Sequence, residues 1–407
     1  MPHNFSLAGG ATTAPIRPSR PSAAPATGRL IGVDLARGLA VLGMYAAHLG
    51  PDPSVGGWLG FLMETAYGRA SALFALLAGF SLILLTGRPY PRTGRAGRQA
   101  MGRVVIRAAV LFAMGIALIL LNTEIDVILA CYALLFLLAL PLHRLRAASL
   151  AAIAAASTLV LPQLLYVVNL SIDNGSWADA VIARDPLAGI TDSDGVLDIL
   201  FTGAYPVLTW LPFVIAGMAV ARLDLANAAI RVRLALTGCA LAVLGYGGSW
   251  LALHLVPNAY AAIAAGTDGP SPSSAWWSEQ VGEPTDTFRE WLLVAAPHSQ
   301  TTPSILGNAG VALAVLAGCL IAVDRLPRLP RLATPVTAIG MMSLTSYVLH
   351  VVAIWALWGE GLPGSLPALI GISVAVMLLA VGWTRLFRRG PLEYVVYTAV
   401  KPARLIK

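Results

Sequence analysis

Ten runs of apolar residues, each about as long as a bilayer core is thick, recur along the chain at about 30–50, 67–86, 104–121, 125–142, 148–170, 198–221, 234–256, 303–323, 334–358 and 366–386. Crossing the hydrocarbon takes roughly 20 apolar residues of helix. In lipid only helices or closed barrels satisfy their own backbone groups. The runs therefore specify an all-α, polytopic membrane bundle of about ten transmembrane helices. Of the 407 residues 57% are hydrophobic and 12% charged, a balance that excludes an ordinary soluble enzyme. No soluble-domain composition interrupts the runs, so the membrane domain is read as 29–387. Residues 1–28, rich in Ala, Pro, Ser and Thr without an apolar core, read as a disordered cytoplasmic tail and not as a signal peptide. Residues 257–302 form a long external loop, and 388–407 a basic cytoplasmic C-terminal segment.

Basic residues orient the bundle. Loops that follow even-numbered spans, together with both termini, hold 23 of the 27 Lys and Arg residues. The opposite loops collect acids: Asp173, Asp179, Asp185, Asp192 and Asp194 before span six, and Glu279, Glu283, Asp286 and Glu290 before span eight. Because basic loops stay in the cytoplasm, both termini are placed there and the protein is expected to be a multi-pass plasma-membrane protein. The net charge of +7 is this inside bias and calls for no nucleic-acid partner.

Polar residues inside the spans are the candidate functional groups, since ionisable side chains in lipid are costly. Span one, "GVDLARGLAVLGMYAAH", carries Asp34 and Arg37 one turn apart toward the cytoplasm and His48 at the outer boundary. The eleven-residue step from Arg37 to His48 returns to within ~20° of one face and rises roughly 16 Å. Glu64 and Arg69 start span two from outside, and Asp126 starts span four at the level of His48. In span nine Ser343, Ser346, Tyr347 and His350 share a face at helical spacing, with His350 in the outer half. Four spans thus bring polar groups to similar depth. His143, His254, His298 and His3 fall in turns, loops or the tail, where a solvated or interfacial role is expected. Trp276, Trp277 and Trp291 of the long loop suit either an interfacial aromatic cap or a cover over an external site. Cys131, Cys239 and Cys319 lie inside apolar runs without metal-ligand spacing, so they read as packing residues and no metal site is expected.

The stretches "GVDLARGLAVLGM", "GRASALFALLAGFS", "DVILACYALLFL", "IGMMSLTSYVLH" and "WTRLFRRGPLEYVVY", in that order, resemble the signatures of the domain-of-unknown-function 418 family of bacterial membrane proteins, from span one to the C-terminal segment. That family is grouped with transmembrane acyltransferases that include heparan-alpha-glucosaminide N-acetyltransferase and the acyltransferase-3 proteins. The latter carry an Arg followed by ten residues and a His on the first helix, as "RGLAVLGMYAAH" does with Arg37 and His48. In the 418 family amides often stand where this chain has His48 and His350.

The resemblance implies transfer of an acyl group, most simply acetyl, from cytoplasmic acyl-CoA to a hydroxyl or amine of an acceptor reached from outside. A thioester is already activated, so the protein supplies chiefly a base and oxyanion donors. His48 is the expected base, with Asp126 holding its tautomer; a covalent acetyl-His48 relay is a variant. His350, Tyr347 and Ser346, with Glu64 and Arg69, would line the acceptor or serve the oxyanion. Arg37 would follow the pantetheine arm or pair only with Asp34, and the Arg-rich connection 87–103 would meet the cofactor phosphates or serve only topology. Expected partners are the bilayer, acyl-CoA and an acceptor such as a glycan, a lipid headgroup or a secreted metabolite; a homo-oligomer is compatible with the sequence. The competing class is a proton-coupled transporter or exporter using the same polar residues, although no internal repeat relates the halves. A silent membrane scaffold is the third class.

Overall fold

The computed structural model describes residues 30–191, 193–266, 272–278 and 288–407. The tail expected at 1–28 and parts of the long loop lie outside them. Helix accounts for 78% of the structure and no strand forms among the described residues, so the all-α expectation holds. The main helices are α1 (Ile31–Leu49), α2 (Gly57–Glu64), α3 (Arg69–Thr86), α4 (Gly94–Ile119), α5 (Ile128–Ala139), α6 (Ala147–Asp173) and α7 (Val207–Ala221). They continue with α8 (Ala228–Leu255), α9 (Thr302–Arg325), α10 (Thr334–Met341), α11 (Ser343–Trp358), α12 (Leu366–Leu386) and α13 (Pro391–Ala399). Among the described residues six stretches are long and apolar enough to cross a membrane: α2 with α3, α4, α6, α8, α9 and α12. The bent pair α10 and α11 makes a seventh. The remaining expected spans correspond to α1, with its ion pair, and to the shorter apolar helices α5 and α7. The chain is a multi-pass helical membrane protein.

Two expected spans differ in form. Span six begins at Val207, not 198, because Gly203 is extended and Pro206 holds the preceding residue out of the helical region. Residues Asp198–Thr202 form a separate π-turn. Span nine breaks at Met342, and α10 and α11 meet at 90°. The N-terminus of α11 left by the break is closed by Glu393, whose carboxylate accepts from Leu344 N at 2.8 Å, Thr345 N at 3.2 Å and the Thr345 hydroxyl at 2.6 Å. A carboxylate there neutralises both orphan N–H groups and the positive helix end. The "GPLE" stretch at 390–393 therefore caps a broken span.

Paired glycines set the central crossings. A Cβ on Gly79 would sit 1.9 Å from Val214 O, and one on Gly217 1.8 Å from Leu76 O, so α3 and α7 touch backbone to backbone. Gly38 and Gly340 do the same for α1 and α10, with Val336 O at 2.0 Å and Asp34 O at 1.8 Å. Close approach through small residues is the usual source of helix affinity in lipid, where burying Leu against Leu gains nothing over the acyl chains. Peripheral helices turn apolar side chains outward instead: Leu159 and Val167 on α6, Leu236 and Val243 on α8, and Ile370 and Leu378 on α12 are more than half exposed. Water would not tolerate such a continuous belt; lipid does.

Arginines staple one end of the bundle. Arg222 donates to Gly87 O at 2.6 Å, Pro89 O at 2.9 Å and His143 O, and Arg88 donates to Leu223 O at 3.0 Å. The connections after α3, α5 and α7 are thereby joined. Arg98 and Gln99 at the start of α4 bind carbonyls of Lys407 and Arg404 at the C-terminus. At the opposite end Ser365 N bonds Leu49 O at 2.9 Å and Glu124 N bonds Glu360 O at 3.0 Å, tying the exits of α1, α4 and α11.

Candidate active site

α1 and α11 bring Tyr45 and His48 against Ser346, Tyr347 and His350. The Tyr45 hydroxyl donates to Ser346 O at 2.7 Å, and its ring stacks on His350 with centroids 4.8 Å apart. His48 Nδ1 lies 3.0 Å from His350 Nε2, with the rings within 6° of parallel. His350 Nδ1 meets Tyr347 O. A carbonyl only accepts, so His350 Nδ1 carries the hydrogen and, in the neutral ring, Nε2 is an acceptor. His48 Nδ1 must then donate, leaving a lone pair on His48 Nε2; the tautomers follow from the hydrogen-bond chain.

His48 lines a cavity of about 570 Å³ together with Asn169, Asp126, Asp198, Tyr205 and His298. A second cavity of about 360 Å³ adjoins it and shares Asp126, Asp198 and Tyr205. Both open among the acid-rich connections near the His48 end of α1. Burial, then Asp126 and Asp194, push the Asp198 carboxyl up to about 6. A third cavity of about 290 Å³ lies near the Asp34 end and is lined by Arg37, Ser81, Arg107, Tyr132 and Glu393. Arg37 pairs with Asp34 at 3.2 Å and donates to Ser81 Oγ at 3.1 Å. The Nε of Arg107 is buried without a hydrogen-bond partner among the described residues. Rings link the cavities: Phe74 and Tyr132 of the third stack at 5.6 Å, Phe74 reaches Tyr347 at 6.4 Å, and Tyr347 meets His350 at 5.1 Å.

Several expected site residues take other positions. Asp126 shares the cavity with His48, but His350 and not Asp126 is the hydrogen-bond partner of the His48 ring. His350 is fully buried behind His48, and its two nitrogens are spent on Tyr347 O and His48. Tyr347 is buried with its hydroxyl 3.4 Å from Ile128 N, which donates to it. The Ser346 hydroxyl is enclosed away from the cavity wall. Glu64 and Arg69 line none of the three cavities. Instead Arg69 donates to Glu64 O at 2.8 Å, Tyr246 Oη at 3.1 Å and Trp277 O, a clamp between α3, α8 and the long loop. Arg37 lines the third cavity whereas Asp34 only pairs with it.

The described part of the long loop packs a small core of its own. Trp291 is buried with Leu253, Ala259, Ile263, Ala275, Val294 and Ala296, and its indole donates to Ser299 O at 3.0 Å. This small core carries His298 into the cavity wall, correcting the solvated role expected for that residue. No periodicity marked it, because a loop residue has no face to repeat. His143 likewise is buried, with Nδ1 on Leu140 O at 2.7 Å. Among the described residues no group of three or more His, Cys, Asp or Glu is arranged to hold a metal.

The structure is thus a polytopic helix bundle in which His48, backed by the buried His350, faces a polar cavity. The family described as "Heparan-alpha-glucosaminide N-acetyltransferase, catalytic" matches residues 29–255, more than half of the chain, and this protein belongs to it. Residues 281–401 match "Protein of unknown function (DUF418)". No curated protein matches the chain. His48 falls in the first match and His298 and His350 in the second, so the cavity is assembled from both.

Proposed function

We propose that this protein is a membrane acyltransferase that moves an acyl group, most simply acetyl, from cytoplasmic acyl-CoA to a hydroxyl or amine of an acceptor entering from the opposite side of the plasma membrane. The observation that carries the reading is the His48–His350 pair, which leaves a lone pair on His48 Nε2 in a cavity wall. That nitrogen would accept the proton of the attacking group as its bond to the acyl carbon forms and the carbon–sulfur bond breaks. His48 would then return the proton to the departing sulfur. Through Nδ1 the resulting imidazolium keeps its hydrogen bond to His350, which holds the ring in place much as a carboxylate does in other triads.

Arg37 and Arg107 give the third cavity two guanidinium groups suited to the donor's phosphates. The arginine bias supports a cytoplasmic position for that cavity and the opposite side for the His48 cavity. The family membership supports an acetyl donor. Purified protein with labelled acetyl-CoA tests the reading. Wild type is expected to cleave the thioester, His48→Ala to lose about 10²–10⁴-fold in rate, and His350→Ala to lose about tenfold or more with the donor KM unchanged. Absence of acetyl-CoA binding at millimolar concentration in folded, monodisperse protein overturns it in favour of a transporter.

A further inference from the structure

Four and two residues before α9 the chain takes a conformation that ordinary side chains avoid. His298 and Gln300 both have φ of +59°. Such backbone persists only where its surroundings over-determine it, and it concentrates at functional sites. Here the surroundings are visible. His298 Nδ1 donates to Ala204 O at 3.1 Å, Gln300 Nε2 donates to the same carbonyl at 3.0 Å, and Gln300 Oε1 accepts from the Thr209 hydroxyl at 2.8 Å. Pro297 packs so closely on Gly68 that a Cβ there would lie 2.8 Å from its own. Tyr205 and Trp210 hold the imidazole edge-on and tilted at 5.2 and 6.0 Å. The result is a second histidine in the wall of the His48 cavity, on a different element from the first.

The carbonyl bond settles its tautomer: Nδ1 carries the hydrogen and Nε2 is the lone pair. Burial holds this imidazole below its ordinary value despite the opposing effect of the Ala204 contact, so it stays neutral. His48, Asp126 and Asp198 line the same cavity, together with the hydroxyl- and amide-bearing Ser71, Asn169 and Tyr205. Such a polar wall suits an acceptor that carries hydroxyl or amine groups.

We propose that His298 is the acceptor-positioning residue of this cavity, its Nε2 accepting a hydrogen bond from an amine or hydroxyl of the acyl acceptor while His48 takes the reacting proton. The proposal rests on the acyltransferase reading and adds a substrate-touching role to a residue outside the acetyltransferase-family match. Asparagine and glutamine separate the two ring nitrogens. His298→Asn retains a donor for Ala204 and removes the acceptor at the Nε2 position; His298→Gln retains an acceptor there and gives up the tie.

With labelled acetyl-CoA, and D-glucosamine or D-glucose as probe acceptors for amine and hydroxyl, His298→Asn is expected to raise the acceptor KM about tenfold. His298→Gln should recover most of the acceptor KM. The reverse order, with Gln impaired and Asn normal, makes His298 a loop tie and overturns the proposal. Diethyl pyrocarbonate labelling of the full-length protein, read by mass spectrometry, is independent of turnover. His48 and His298 are expected to react and the enclosed His350 to be spared. If His298 is spared while His48 reacts, its Nε2 does not face the cavity and the proposal fails even where acetyl transfer is observed. If both react but no thioester is cleaved, the acyltransferase reading fails and the positioning role falls with it.

Discussion

Asp198 shows how much one carboxyl depends on its neighbours. Half-buried beside Asp126 and Asp194, it holds its proton up to about 6 where an isolated carboxyl releases it near 3.8. The folded state therefore binds that proton more tightly than the unfolded chain. Its contribution to stability is greatest at low pH and is lost as pH rises from about 4 through 6. Asp198→Asn removes the cost of the charge, so its thermal midpoint in detergent should exceed wild type at pH 7–8, by an amount corresponding to about 1 kcal/mol. That difference should vanish below pH 4; a pH-independent offset would refute the electrostatic account. At this scale the polar residues of span one were legible, because an ionisable group in an apolar run stands out by type alone. Their partners were not. His48 was matched to Asp126 on depth, and depth does not say which of two neighbours a ring nitrogen points at.

At the scale of elements, glycine contact sets the helix crossings. Gly217→Ala forces a methyl into Leu76 O, a backbone atom with no rotamer to yield, and is expected to cost about 2 kcal/mol or more. Gly371→Ala on α12, where a Cβ meets nothing within 4 Å, serves as the control and should be neutral or slightly stabilising. Equal melting shifts for both would mean that α3 and α7 are not held by this contact. Helix existence was readable from run length. The break at Met342 was not, since the run 334–358 is continuously apolar and the bend depends on Glu393, some 50 residues on, being available as a cap.

For the whole molecule, the arginine staples and the acid-rich connections lie at opposite ends, which gives orientation a direct test. In a background with Cys131, Cys239 and Cys319 replaced by alanine, a cysteine at Ser193 should react with an impermeant maleimide on intact cells. One at Arg95 should react only after permeabilisation. The opposite pattern inverts the bundle and with it the assignment of donor and acceptor sides.

Hydropathy and charge by themselves determined that this chain is a membrane helix bundle, roughly where its helices lie, and that its first helix carries an acid, a base and an imidazole. These follow from transfer free energies, which each residue contributes wherever its neighbours are. Only the tertiary structure decided that His350 orients His48, that Arg69 is a clamp, and that a loop outside any span delivers His298 to the cavity. Hydrogen bonds are short and directional, so they depend on which backbones cross and at what angle, and no pattern along one dimension carries that.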